Sequence, residues 1–260
     1  MDDTPAVRRV RALMPKGMRT SSPHPSVLDV RTPTSAPDNP TSAAGRLMNF
    51  APLATIYEAA WRPLFRLWMG FGGPTVEQEL AFAVADLGLT DHDVSVVLDV
   101  ACGPGNFTRS IARTMTGTQG NDPLVVGVDA SDPMIARAAE DTEDHDHIAY
   151  VLADARTLPF EDESVDAVCC YAALYLVPEP FRVLDELIRV LRPGGRIALM
   201  TSVRRGPAPV GLGAALAGRT VGLEIFGRDD FTKVLTQRGF DRVEQRIHGA
   251  AQFVTGRRSR

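Results

Sequence analysis

Residues 96–112 read VVLDVACGPGNFTRSIA, and the rest of the chain is organised around this stretch. It opens on an apolar run without polar alternation, which predicts a strand buried on both faces of a parallel sheet. Asp99 follows this run, and a turn containing Gly103 and Gly105 comes next. Glycines let the main chain approach a ligand closely, and the helix that follows presents free N–H groups. The stretch therefore predicts a site for a nucleotide-like cofactor beyond a strand end.

Composition limits the classes to which the protein can belong. The 260 residues are 44% hydrophobic and 23% charged, which favours a soluble domain with appendages. The net charge of −4 gives no excess of positive charge of the kind that binding to nucleic-acid phosphates requires. We find neither an apolar run of the roughly 18 residues needed for a membrane span nor a secretory signal. The three cysteines have no disulfide or zinc spacing, so we expect a reduced, cytoplasmic protein.

The chain before residue 96 divides into two predicted parts. Residues 1–45 hold seven prolines and ten serines or threonines, and we predict a disordered tail there. One domain is then expected over 46–260, in which 46–92 form a helical lid. Aromatic residues recur at helical spacing over 47–69, and Thr75 and Gln78 predict a capping box for a helix that ends at Gly88.

Strands and helices alternate after the quoted stretch. Such alternation implies βαβ units and a doubly wound, mostly parallel α/β sheet. A helix and an antiparallel hairpin are expected to close the chain, and the segment 203–227 is expected to cover the substrate or to be a purely structural helix. The predicted strands are 95–100, 124–129, 148–152, 165–171, 196–202, 241–247 and 250–255, and the predicted helices are 105–116, 132–141, 180–191 and 229–238.

Acids stand at two further strand ends, where a doubly wound sheet binds its ligand. Asp129 lies 24 residues beyond Gly105 and can accept both hydroxyls of a ribose. Met134 offers a thioether to a flat ring. At the next strand end, Asp154 can accept from an exocyclic amine while the Ala155 N–H donates to a ring nitrogen. Together these groups favour adenosine, and a nicotinamide dinucleotide is disfavoured because Thr108 stands where the third glycine of G-x-G-x-x-G should be.

Four segments carry a family resemblance: LDVACGPGNFT, VVGVDAS-x-x-M, LADARTLPFEDESVDAV and RVLRPGGRIAL. Residues 94–202 resemble class I S-adenosylmethionine (SAM) dependent methyltransferases, most closely the type-11 group with its quinone C-methyltransferases and small-molecule O-methyltransferases. The resemblance implies a Rossmann-like, seven-stranded sheet whose last strand is antiparallel. It also implies SAM as cofactor, with Asp129 on the ribose and Ala101 in place of a usual glycine. The implied cofactor-binding residues are Asp99, Ala101, Gly103, Gly105, Asp129, Ala130, Met134, Asp154, Ala155 and Tyr171.

The catalytic residue stays open at this point. Many relatives carry a histidine just after the fourth strand, where this chain has Leu174-Tyr175-Leu176-Val177. Tyr171, Tyr175 and His248 are weak candidates for the catalytic group. The cluster at 143–147, EDHDH, is interpreted as a solvated loop rather than a metal site, and Cys169 and Cys170 as core residues.

Three hypotheses for function follow from these patterns. The first is a SAM-dependent methyltransferase that acts on a small molecule, more at oxygen than at carbon. The second is a lipid-quinone C-methyltransferase, and the third is a non-catalytic SAM-binding interaction module. No nucleic-acid partner and no integral membrane association are expected, and a monomer and a homodimer are both open.

Overall fold

A computed structural model describes residues 3–31, 75–117, 122–143, 146–204 and 223–260. The aromatic segment 47–69 lies outside these residues, and so does the part of the expected cover that runs from 205 to 222. Within the described residues, none of the helices combines the length and the apolar character needed to cross a bilayer.

The described elements follow the predicted alternation of strands and helices. The helices are α1 (Pro5–Ala12), α2 (Val76–Leu87), α3 (Asn106–Thr116), α4 (Asp132–Glu140), α5 (Pro180–Val190) and α6 (Asp230–Gln237). The strands are β1 (Ser21–His24), β2 (Val27–Asp29), β3 (Val96–Val100), β4 (Leu124–Asp129), β5 (Ile148–Leu152), β6 (Val165–Tyr171), β7 (Leu191–Ser202), β8 (Phe240–His248) and β9 (Ala251–Arg258). The capping box at the start of α2 is present, and Gly88 ends that helix in the left-handed conformation.

One sheet contains the nine strands of the described residues, in the order β1-β2-β5-β4-β3-β6-β7-β9-β8. The six strands from β2 to β7 in this order are parallel, and β9 runs antiparallel between β7 and β8. The prediction of a mostly parallel Rossmann-like sheet with an antiparallel last strand is confirmed. The predicted seven strands correspond to β3–β9, and β1 and β2 extend this seven-stranded sheet at one edge.

The prediction of a disordered tail is wrong for residues 3–31. Thr4 caps α1, whose residues Ala6, Val7 and Val10 are fully buried. Strand β2 then pairs in parallel with β5, and Val27 lies opposite Tyr150. These apolar residues are too few for their pattern to predict a buried core. The segment is ordered because β2 pairs with β5 at the edge of the sheet and α1 packs on one face of the sheet. Residues 32–45 of the predicted tail lie outside the described residues.

Helices cover both faces of the sheet. Helices α1, α5 and α6 bury Val7, Leu184 and Phe231 in one cluster, and we call this side the α5 face. Helices α2, α3 and α4 bury Leu87 and Ile111, among others, in a second cluster, which defines the α3 face. This two-sided burial explains why the strand sequences are continuous apolar runs rather than alternating ones.

Arg192, the first residue of the RPGG segment, has a structural role. It bonds to the carboxylate of Asp166. The other carboxylate oxygen of Asp166 accepts from the backbone N–H groups of Ser95 and Val96, each at 2.8 Å. Asp166 thus joins the start of β6 to the start of β3 at the end of the sheet opposite the glycine turn.

Asp166→Ala is expected to destabilise the fold by about 2 kcal/mol, because two backbone donors and a guanidinium lose a charged acceptor together. Urea denaturation measures the loss. Asp162→Ala is the matched control, because Asp162 is exposed and makes an ion pair with Arg189 at the surface, which is worth about 0.5 kcal/mol. Equal losses in the two variants would contradict the role given to Asp166.

Candidate functional site

The carboxylate of Asp129 joins the turns that follow β3 and β4. Its Oδ2 accepts from the backbone N–H of Gly103 at 2.9 Å, and its Oδ1 accepts from the N–H of Ser131, also at 2.9 Å. The N–H of Cys102 donates to the carbonyl of Val128 at 3.1 Å and continues the contact between the two strands. The structure therefore holds the glycine turn and the ribose-binding candidate side by side, as the spacing predicts.

Three residues of the turn have left-handed backbone angles: Ala101 at φ +60°, Gly103 at +55° and Gly105 at +75°. A Cβ at Gly103 would meet no atom within 4 Å, so open space lies above this residue. A Cβ at Gly105 would lie 2.5 Å from Oη of Tyr150. Ala101 adopts its angle at a cost of roughly 1 kcal/mol, which a glycine would avoid. The turn thus presents bare main chain at Gly103 and packs tightly at Gly105.

Asp99 lies beneath the turn rather than on its surface, with 2% of the residue exposed. Its Oδ2 accepts from Oγ1 of Thr108 at 2.6 Å, and the thiol of Cys169 lies 3.6 Å from Oδ1. The sequence indicated Thr108 only as the residue that replaces a third glycine. In the structure, Thr108 lies in the first turn of α3 and its hydroxyl donates to Asp99. Cys169 and Cys170 are core residues as predicted, and burial raises the pKa of both thiols.

Desolvation raises the pKa of Asp129, and the N–H groups of Ser131, Gly103 and Ala130 partly offset this effect. The residue keeps part of its surface exposed to solvent. Each carboxylate oxygen accepts one of the two short N–H bonds described above and retains lone pairs for a further donor. Asp129 can thus receive a pair of hydroxyl groups from a ligand above Gly103.

The helix that follows Asp129 is fastened to the N-terminal segment. Arg31 donates to both oxygens of Asp132 at 2.7 and 2.8 Å and also bonds to Asp29. Met134 is buried, with 3% exposure, whereas Ala130 is exposed. Sequence reasoning did not identify Arg31, which belonged to the tail that we predicted to be disordered.

The carboxylate of Asp154 already accepts hydrogen bonds from Arg156, a residue of the same loop. The backbone N–H of Arg156 donates to its Oδ1 at 2.8 Å, and Nη2 of Arg156 donates to its Oδ2 at 2.6 Å. Burial alone would raise the pKa of Asp154, but these bonds lower it below its ordinary value. The side chain remains 45% exposed, and the neighbouring Ala155 packs partly against the core. Asp154 can still accept from a ligand, in competition with Arg156, which sequence reasoning did not single out.

Two of the three catalytic candidates lie in one aromatic cluster on the α3 face. The ring of Tyr171 stacks on Phe107 with 4.9 Å between centroids and meets the edge of Phe253 at 6.0 Å. His248 also contacts Phe253, at 5.9 Å, and stacks on Phe82 at 5.5 Å. Tyr171 ends β6 and Phe107 follows Gly105, so this cluster adjoins the glycine turn.

Burial raises the pKa of Tyr171 well above its ordinary value, so its phenol is protonated at neutral pH. This weighs against Tyr171 as a general base and leaves it as a hydrogen-bond donor. Tyr175, the third candidate, packs into the core cluster of the α5 face, and its carbonyl accepts from the N–H of Glu224 at 2.9 Å.

The described part of the segment 143–147 shows no metal geometry. His147 lies 3.6 Å from a carboxylate oxygen of Asp122, and residues 144–145 are outside the described ranges. Over the described ranges as a whole, no group of three or more His, Cys, Asp or Glu side chains is arranged to hold a metal ion.

Comparison with known sequences identifies the segment that contains this site. Residues 98–199 match the family described as methyltransferase domain. An uncharacterized chloroplastic methyltransferase of Arabidopsis thaliana is 31% identical over 216 residues, which are 80% of this chain and 58% of the relative. The demethylmenaquinone methyltransferase of Clavibacter sepedonicus is 42% identical over 103 residues (40% and 39% of the two chains). The 27-O-demethylrifamycin SV methyltransferase of Amycolatopsis mediterranei is 32% identical over 152 residues (56% and 53%).

The chain spans between 39% and 58% of the length of these three relatives. A solved structure also shares the fold: the magnesium protoporphyrin IX methyltransferase of Synechocystis, with bound S-adenosylhomocysteine (SAH), has a TM-score of 0.52 and 19% identity. The match covers 80% of this chain and 99% of that one. The family match, the strand order and the glycine turn agree: residues 98–199 form a methyltransferase domain of the type-11 group in class I.

Proposed function

We propose that the protein binds SAM above Gly103 and transfers its methyl group to a hydroxyl group of a small molecule. The observation that carries this proposal is the Asp129 carboxylate, which ties Gly103 to Ser131 and keeps lone pairs on both oxygens. The open space above Gly103 supports it, because a bulky ligand can approach the main chain there. The bound SAH of the Synechocystis enzyme, which shares this fold, supports the choice of cofactor.

The residues present fit the three parts of this cofactor. Asp129 would accept the ribose hydroxyls, and Asp154 with the N–H of Ala155 would bind the adenine. The turn from Ala101 to Gly105, supported from below by Asp99 and Thr108, would lie under the methionine part. When bound, SAM supplies a methyl group that is already activated by its sulfonium. The protein then needs chiefly to orient the acceptor and to manage the acceptor's proton.

An alcohol acceptor has to lose a proton on methylation, and His248 is the group that we assign to receive it. His248 shares the aromatic cluster with Tyr171 through Phe253, whereas Tyr171 is held protonated by burial. The rifamycin relative supports an oxygen acceptor, because its name describes methylation of a 27-O-demethyl compound. A phenol acceptor would depend on His248 less than an alcohol, because it ionises more easily.

A lipid-quinone C-methyltransferase is the second candidate function. The relative from Clavibacter sepedonicus, a demethylmenaquinone methyltransferase, supports it. A non-catalytic SAM-binding module is the third, and it is supported by the absence of a histidine from residues 174–177.

One assay separates these functions. The purified chain is incubated with SAM and, in separate reactions, a phenol panel, a sugar panel and a hydroquinone extract, and mass spectrometry detects SAH and methylated product. We expect SAH to form with the phenols or the sugars, and the product to lose its methyl group on ether cleavage. A product that forms only from the hydroquinone extract and keeps its methyl group on ether cleavage would favour the lipid-quinone C-methyltransferase. Calorimetric SAM binding without turnover on any panel would favour the third.

A further inference from the structure

Two buried hydrogen-bond donors on the α3 face have no partner. In the described part of the chain, three buried side-chain polar atoms lack a hydrogen bond: Oη of Tyr171, Nε of Arg246 and Oγ1 of Thr201. Tyr171 lies opposite Met200, Met200 opposite Phe253, and Phe253 opposite Arg246, so this row crosses β6, β7, β9 and β8. Residues directly opposite one another share a face. Two of the three unpaired atoms therefore belong to one row.

Aromatic rings surround this row. Phe82 of α2 lies 5.3 Å from Phe253, and Phe107 stacks on Tyr171. Phe82, Phe107, Tyr171 and His248 are all partly exposed residues, so solvent reaches part of the cluster. We call the group formed by these four residues and Arg246 the aromatic chamber. It adjoins the glycine turn because Phe107 follows Gly105 by two residues.

Arg246 is anchored in a way that leaves its Nε–H unused. Its Nη2 bonds to the carboxylate of Asp86, and its Cζ lies 4.7 Å from the centre of the Phe82 ring. These contacts fix the guanidinium against α2. Each buried donor without a partner costs about 1–3 kcal/mol, and these two donors belong to one row on one face of the sheet, so we take a ligand that accepts from them as the explanation.

We infer that the aromatic chamber is the acceptor subsite, and that it selects a planar aromatic compound whose oxygen substituents accept hydrogen bonds from Tyr171 and Arg246. This inference rests on the proposed function, because it assigns the chamber to the methyl acceptor. The Nε–H of arginine can only donate, so the ligand has to supply an acceptor atom there. The surrounding rings favour a flat apolar body over a sugar, because aromatic faces bind flat rings by stacking.

Two probes of the same shape test the chamber. Calorimetric titrations in saturating SAH compare 2-naphthol with 2-methylnaphthalene, which lacks the oxygen. We expect 2-naphthol to bind about 10-fold more tightly, the ratio that one or two such hydrogen bonds supply. Tyr171→Phe keeps the stacked ring, and Arg246→Lys keeps a cation beside Asp86. Each is expected to reduce the ratio to about 3 or less, in line with the loss of one hydrogen bond.

Thr201→Val is the matched control, because it removes the third unpaired buried polar atom, the hydroxyl oxygen of Thr201. Thr201 follows Met200 in β7 and therefore points to the α5 face. Thr201→Val should therefore keep the wild-type ratio between the affinities for 2-naphthol and 2-methylnaphthalene. Equal binding of the two probes to the wild type, or a wild-type ratio in both Tyr171→Phe and Arg246→Lys, would overturn the inference. Failure of SAH to bind to the wild type would instead count against the proposed function, and the probe ratio is then measured without SAH.

Discussion

Asp129→Ala is expected to weaken SAM binding by about 100-fold or more. The variant removes the charged acceptor proposed for two ribose hydroxyls, and a hydrogen bond to a charged group contributes about 1.5–3 kcal/mol. It also releases the N–H groups of Gly103 and Ser131, which loosens the turn under the rest of the cofactor. Isothermal titration calorimetry with SAM measures the effect.

Asp132→Ala is the control for this variant, because Asp132 is the next acid along the chain and bonds to Arg31 at the surface. Its side chain is 65% exposed, and we expect its affinity for SAM to stay within about threefold of the wild type. Wild-type affinity in a folded Asp129→Ala protein would overturn the assignment of the cofactor site.

The affinity for SAM should also fall as the pH is lowered. Protonation of Asp129 turns an acceptor oxygen into a donor, and desolvation raises the pKa of this group. The loss should therefore begin at a higher pH than the ordinary aspartate pKa of about 4 implies. Titrations across the acidic range, at pH values where circular dichroism shows the native fold, measure this dependence.

Gly105→Ala is expected to destabilise the fold by about 3 kcal/mol. Its φ of +75° costs an alanine about 1 kcal/mol, and overpacking adds about 1–3 kcal/mol. The new Cβ would lie 2.5 Å from Oη of Tyr150 and 3.0 Å from Cβ of Ala138. Neither neighbour can move easily, because both are fully buried and the Tyr150 hydroxyl is bonded to Thr142 at 2.8 Å. Urea denaturation measures the change in the free energy of unfolding.

Gly103→Ala separates backbone strain from crowding, because its φ is +55° and its Cβ would meet no atom within 4 Å. We expect this variant to lose only about 1 kcal/mol of stability. It should nevertheless weaken SAM binding, because the added methyl group occupies the space proposed for the ligand. Equal destabilisation by the two variants would contradict the packing described for Gly105.

Much of the architecture could be predicted because the strands are apolar runs and the helices carry their own start and stop signals. The capping box at Thr75, the glycine at 88 and the alternation from Val96 to Ser202 are local patterns, and the structure follows them. The adjacency of Asp129 and Gly103 could also be predicted, because parallel strands bring their carboxyl ends to the same edge of a sheet.

Other features depend on contacts between distant residues. The N-terminal segment becomes ordered by pairing β2 with β5, and nothing in its composition indicates that partner. Arg31 reaches Asp132 across 101 residues of sequence. The engagement of Asp154 by Arg156 depends on a side-chain conformation, and the presence of an arginine two residues away does not determine it.

The sequence by itself determined the class of fold, the turn from Ala101 to Gly105 and the acids that follow two strands, because each depends on a short pattern of residue types. Only the tertiary structure decided that Thr108 supports Asp99, that Tyr171 and His248 share a cluster whereas Tyr175 does not, and that Arg246 lies opposite Phe253. The physical reason is that strand register and side-chain packing arise from the burial of the whole sheet, which no local segment encodes.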